Sequence, residues 1–204
     1  MRFYNAHTHH FRPNEVSVLQ ASQISPSQKH SVGVHPWLAD QANLEEIQRA
    51  LHHPNCVALG EVGLDRLQGP NLELQQAVLI AQLHFANHFN KPVIFHIVRA
   101  WDAFFALYAS QHRTPWVIHG FNAPKQLPRL LTTAIHVSIG PAALRNPTFV
   151  PILSTIPLDC LLFETDDELE SIEAVYNNFC LATGRTMEEL IPMIEQNFLS
   201  IFGP

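Results

Sequence analysis

Five short apolar runs in this chain end in the same kind of chemistry. They are Asn5-Ala6-His7-Thr8-His9, Gly60-Glu61-Val62-Gly63-Leu64-Asp65, Pro92-Val93-Ile94-Phe95-His96, Trp116-Val117-Ile118-His119 and Leu162-Phe163-Glu164-Thr165-Asp166. Each supplies imidazole or carboxylate at or just after a predicted strand end. One such ending says little. Five in order require a fold in which the ends of separate strands meet around one point.

The segments between these runs support that fold. Apolar periodicity predicts strands over 57–59, 92–96, 116–118, 136–139 and 161–163, alternating with helices over 74–89, 100–111 and 125–133 and followed by two more over 170–183 and 187–202. Thr186 with Glu189 reads as a capping box opening the last helix, and Asn43 with Glu46 does the same for a helix ending near His52. Such alternation predicts a parallel α/β fold. Counting the apolar stretch Val16-Ser17-Val18-Leu19 as a strand brings the total to eight, as in a compact (β/α)8 TIM barrel. Two outer helices are then missing, after the first and second strands, in agreement with a chain shorter than the ~250 residues usual for that fold. The bare strand faces need a cover, for which the C-terminal helices or a second subunit in a homo-oligomer are the candidates. The 204 residues are expected to form a single domain, 1–204.

Composition excludes several classes. No apolar run approaches the ~20 residues of a membrane span. The start of the chain lacks the apolar core of a signal peptide, so a cytoplasmic location is the default. Cys56, Cys160 and Cys180 fit neither a zinc knuckle nor a disulfide framework, and Cys56 and Cys160 are expected to pack as apolar residues. The formal charge is −6 with dispersed Lys and Arg, which argues against a broad nucleic-acid surface. A nucleic-acid end entering a metal pocket is compatible with that balance, because two divalent ions add roughly four positive charges locally. Histidine is the compositional oddity: 13, against 12 lysines and arginines together.

His7 and His9 are two apart on a strand and share a facing, a half-site for Zn²⁺ or a similar ion; a hydrogen-bonded core pair is the alternative. His10 points the other way. Glu61 sits among small residues that allow close approach, and its two oxygens can bridge two cations. His96 and His119 end apolar runs and, as a pair after Glu61, suggest a second metal. Asp166 offers an anionic ligand and a proton acceptor. Glu164 is either a partner for a ligating histidine or a buried hydrogen-bonded acid. His84 and His88 share a helix face but lack a third ligand, so a solvated face is expected.

Taken together these segments resemble the TatD family of metal-dependent hydrolases, in the amidohydrolase-like TIM-barrel superfamily. The resemblance also rests on Gly33-Val34-His35-Pro36, His119-Gly120-Phe121 and the closing run Asn197-Phe198-Leu199-Ser200-Ile201-Phe202-Gly203. It implies two divalent ions (Zn, Mg or Mn), one held by His7, His9, Glu61 and Asp166, the other by Glu61, His96 and His119. It implies a phosphodiesterase or deoxyribonuclease in which a water activated by both metals attacks phosphorus and Asp166 orients and deprotonates it. The substrate would be a nucleic-acid end or a small phosphodiester, with His35 and Arg99 as candidate substrate contacts.

The sequence departs from the family pattern at Asn5, where an aspartate is usual, and at His96-Ile97-Val98-Arg99, where a tighter His-x-Arg is usual. Phe121-Asn122-Ala123 and the acidic pair Asp167-Glu168, in place of a proline, alter the mouth. Hydrolysis of another ester or an amide on the same metals is the nearest alternative. None of Lys29, Lys91 and Lys125 ends a strand where a carboxylated lysine would bridge metals, which favours the Glu61 arrangement. A degenerate barrel kept as a scaffold is the non-enzyme alternative.

Overall fold

The computed structural model describes residues 2–20 and 28–204. Eight strands form one sheet in sequence order: β1 Phe3–Thr8, β2 Glu15–Gln20, β3 His30–Val32, β4 Cys56–Asp65, β5 Val93–Val98, β6 Trp116–Ile118, β7 His136–Ile139 and β8 Leu161–Phe163. The pairings described between them are parallel. The helices are α1 Leu44–Leu51, α2 Leu72–Phe89, α3 Trp101–Gln111, α4 Leu127–Leu130, α5 Pro141–Leu144, α6 Ile172–Thr183 and α7 Met187–Phe202. The stretch around Val16 is a strand, as expected. No helix separates β1 from β2, and the expected lack of one after the second strand falls on 21–27, outside the described residues.

The contacts divide the chain into two compact units, one of 1–19 with 119–204 and one of 20–118. In the first, the earliest and latest strands are neighbours. Asp166 N donates to His7 O at 3.1 Å, His9 N donates to Asp166 O at 3.0 Å, and Thr8 bridges Asp166 in parallel. Adjacency of the first and last strands in the sheet order is how a barrel avoids open edges.

The C-terminal helices cover β1, one of the two candidate covers. Phe3 meets Tyr176 of α6 edge-on at 5.1 Å, and Tyr4 meets Phe198 of α7 at 5.2 Å. The Tyr176 hydroxyl donates to Tyr4 O at 3.2 Å, and the Tyr4 hydroxyl donates to Glu195. Thr186 and Glu189 form the reciprocal cap of α7. At α1, Asn43 accepts from Glu46 N, but Glu46 takes its return bond from the Asn43 amide rather than the backbone.

The second unit packs α2 along β4, and Phe95, Phe104 and Trp116 form a fully buried aromatic cluster with centroids 4.4–5.5 Å apart. Its strand β4 is longer than the 57–59 expected and carries both Glu61 and Asp65, with a register shift between Leu59 and Val62. The helix expected over 125–133, in the first unit, shrinks to a 3₁₀ turn, Pro124–Gln126, and the single turn α4. Pro128 has no N–H to continue the ladder at that point. Cys56 is buried at the start of β4, and Cys160 is half-buried before β8.

Candidate metal centre

In the first unit, Asp166 is the meeting point. Its Oδ1 lies 3.5 Å from His7 Nε2 and 3.3 Å from His9 Nε2. Asp166 has φ of 52°, the left-handed region that aspartate tolerates better than most residues. His7 is fully buried, and the His119 ring stands 4.5 Å from it. His119 Nδ1 lies 3.5 Å from Oε1 of the fully buried Glu164, which also accepts from Gly120 N at 2.7 Å. Gly120 turns at φ 55°, which brings its N–H to that carboxylate without a Cβ cost. Burial alone would raise the Asp166 pKa. Hydrogen bonds from His7 and His9 and the charges of His119 and His7 outweigh it and hold the carboxyl far below its usual range.

In the second unit, Glu61 Oε1 is the corresponding point. His35 Nε2 lies 3.3 Å from it and His96 Nδ1 3.0 Å. The backs of both imidazoles are tied. His35 Nδ1 accepts from Trp37 N at 3.3 Å, and His96 Nε2 lies 3.1 Å from Asp65 Oδ2. Asp65 is buried and also accepts from Trp37 Nε1 at 2.7 Å, Leu67 N at 2.8 Å and Gln68 N at 3.1 Å. Burial again opposes ionisation, but these bonds and the neighbouring His96 lower the Asp65 pKa. Gly63 makes the close approach possible: a Cβ there would sit 1.8 Å from His96 O.

Two buried glutamines of α2 hold the loops that carry this cluster. Gln82 takes Val34 N at 2.7 Å and gives to Val34 O at 3.2 Å, next to His35. Gln75 takes Asp65 N at 2.7 Å and gives to Asp65 O at 2.9 Å.

The donors suit a divalent cation. Within each of the sets His7/His9/Asp166, His119/Glu164/Asp166 and His35/Glu61/His96, one atom per residue lies within 4.8 Å of the others. All are imidazole nitrogens and carboxylate oxygens, the set preferred by zinc and similar ions. Two ligands at 2.0–2.1 Å from a tetrahedral ion stand about 3.3 Å apart, close to the 3.0–3.5 Å separations at Asp166 and Glu61.

The expected residues therefore fall into two groups: His7, His9, His119 and Asp166 in one unit, Glu61, His96 and His35 in the other. His35, expected as a substrate contact, faces Glu61 at donor distance. Arg99 is exposed at the end of β5, with φ of 51° and its carbonyl accepting from Arg66 Nε. His10, set aside in the sequence, lies 3.0 Å from Asp167, and Glu168 pairs with Arg145. The added acids at the mouth thus have basic partners. His84 and His88 are exposed on α2. Asp65 closes one of the five runs but has no individual role in the sequence, and Trp37 has none at all; the spacing of Asp65, four after Glu61 on one strand face, was the available signal.

Comparison with known proteins places these residues in a family context. The model of the family described as TatD related DNase matches residues 6–203. The uncharacterized metal-dependent hydrolase YjjV of Escherichia coli (strain K12) is 32% identical over 147 residues, 67% of this chain and 56% of that relative. In that alignment the chain spans little more than half of the relative's length. The 3'-5' ssDNA/RNA exonuclease TatD of Pantoea vagans (strain C9-1) is 28% identical over 204 residues, 84% of this chain and 76% of the relative. The crystal structure of the Escherichia coli YjjV TatD homolog superimposes with a TM-score of 0.83 at 23% identity, covering 99% of this chain and 98% of that one. The fold is the (β/α)8 barrel of these neighbours.

Proposed function

The chain belongs to the TatD-related DNase family, and from that premise we propose that it is a metal-dependent hydrolase of phosphodiester bonds, acting on a nucleic-acid end or a small phosphodiester. The observation that carries the reading is the convergence of His7 and His9 on one oxygen of Asp166, across the join between the first and last strands. His7 is fully buried and His9 is exposed, so the pair reaches one carboxylate oxygen from inside and from solvent, as ligands of an accessible ion would. The exonuclease name of the Pantoea relative favours nucleic acid as the substrate class. Among the described residues no helix is long and apolar enough to cross a membrane.

The proposed ligands are His7, His9, His119 and Asp166 from one unit and Glu61 and His96 from the other, for two divalent ions per chain, Zn, Mg or Mn. When bound, such ions lower the pKa of a water and offset the charge that builds on a phosphoryl group. The remaining work belongs to the protein. Asp166 stays ionised near neutrality and can take the proton of the attacking water. Asp65 fixes the His96 ring from behind, the carboxylate–histidine arrangement that orients a ligand. Glu164 and Gly120 do the same for the turn carrying His119.

The test is metal content and a phosphodiester panel that includes single-stranded DNA with free and blocked ends, run with Mg²⁺, Mn²⁺ or Zn²⁺. His7→Ala and Asp166→Asn should each lose bound metal and at least about 100-fold in rate. Unchanged rates in both variants would remove the mechanism.

A further inference from the structure

Trp37 is large, 42% exposed, and held more firmly than an exposed aromatic needs to be. Its indole N–H donates to the buried Asp65 at 2.7 Å, and its backbone N–H caps onto His35. Its ring meets His35 edge-on at 4.6 Å and His96 at 5.8 Å. Gly69, in the loop after β4, lies close against the Trp37 backbone, since a Cβ there would come within 2.7 Å of Trp37 Cα. Leu38, the next residue in the chain, is 51% exposed. A pinned indole with an open surface next to imidazole and carboxylate ligands can serve a base that lies against it. Every nucleobase offers a π-face, and a rigid aromatic loses little conformational freedom on stacking.

We propose that Trp37 is a stacking platform for a nucleobase flanking the scissile phosphate, making the unit that carries Glu61 and His96 the one that recognises the base. The platform rests on the phosphodiesterase reading above and adds what that reading leaves open, the means of preferring a nucleotide over a bare phosphodiester. Asp65 then has two tasks, since one carboxylate oxygen faces both the His96 ring and the indole.

The experiment compares wild type, Trp37→Phe and Trp37→Ala on a short single-stranded DNA and on the same strand with an abasic residue at either of its last two positions. Binding is followed by fluorescence anisotropy in EDTA, and KM and kcat are measured with metal. Trp37→Ala should weaken binding and raise KM by about tenfold or more on the intact strand, and Trp37→Phe, which loses the Asp65 bond but keeps a ring, should retain most of the affinity whatever its kcat. Wild type should lose a similar factor on one of the abasic strands, where Trp37→Ala should lose nothing further. An equal loss on intact and abasic strands would overturn the platform and leave Trp37 a prop for Asp65. Wild-type cleavage of simple phosphodiesters but no preference for base-bearing strands would overturn the platform alone. Absence of any phosphodiester cleavage by wild type would remove the reading beneath it as well.

Discussion

Asn5 shows why a departure from a family pattern need not damage the site it borders. Its amide donates to Glu15 Oε1 at 2.9 Å and to Thr165 Oγ1 at 2.9 Å, while its carbonyl oxygen accepts from Thr165 N at 3.2 Å. An ionised aspartate could accept from Thr165 N but has no N–H to give to Glu15 or to the Thr165 hydroxyl oxygen. Asn5 thus joins the first strand to the segment that ends in Asp166. Glu15 is the reason for the amide. Burial raises its carboxyl pKa, against the Asn5 hydrogen bond and the Arg12 charge. A raised folded-state pKa means stability that is fully present below the unfolded carboxyl range and is lost as pH rises through the folded value. Asn5→Asp would set a second carboxylate against the first, at an expected cost of about 1–3 kcal/mol at pH 7 and less near pH 4, where the pair can share a proton. Urea unfolding at both pH values checks this, with Glu15→Gln expected to restore most of the loss. A cost equal at the two pH values would show that charge is not its origin.

The most informative element is α2, whose polar core residues were not anticipated. Gln75 and Gln82 are seven apart, two turns along one helix face, and each grips the loop at the end of a different strand. Gln75 also donates to Gln68 O and Pro70 O, so one side chain fixes the whole turn after β4. The sequence predicts a helix over 74–89 and a solvated face at His84 and His88, and assigns its glutamines nothing. A buried glutamine is indistinguishable from a solvated one until its partners are placed. Gln75→Leu should keep the helix but strip the Asp65 backbone of both partners, costing about 1–3 kcal/mol for each group left unsatisfied. It should also lower activity by about 10–100-fold through the displaced Asp65–His96 pair. Thermal melting and metal-dependent turnover measure the two effects, and a stable variant of full activity would refute the account.

For the whole molecule, one unit is built from both ends of the sequence. The first nineteen residues pack with 119–204, and α7 seals β1 through Phe198 against Tyr4. We propose a single folding domain, 1–204, because a unit assembled from both termini cannot form before the whole chain is present. Phe198→Ala should then cost about 3–5 kcal/mol and shift one cooperative transition, seen alike by circular dichroism and tryptophan fluorescence. Two separated transitions would contradict the proposal. The alternation of apolar runs and helices determined the fold class, since strand order follows from short parallel crossovers with little freedom. Sequence also singled out His7, His9, Glu61, His96, His119 and Asp166, because metal-binding side chains at strand ends are expensive to bury without a purpose. It did not show that His35 faces Glu61, that Asp65 serves His96 and Trp37 together, or that His10 and Arg145 answer the added acids at the mouth. Those are contacts between side chains far apart in the chain or on irregular loops, where no periodicity reports direction, and only the folded backbone decides which atoms come within reach.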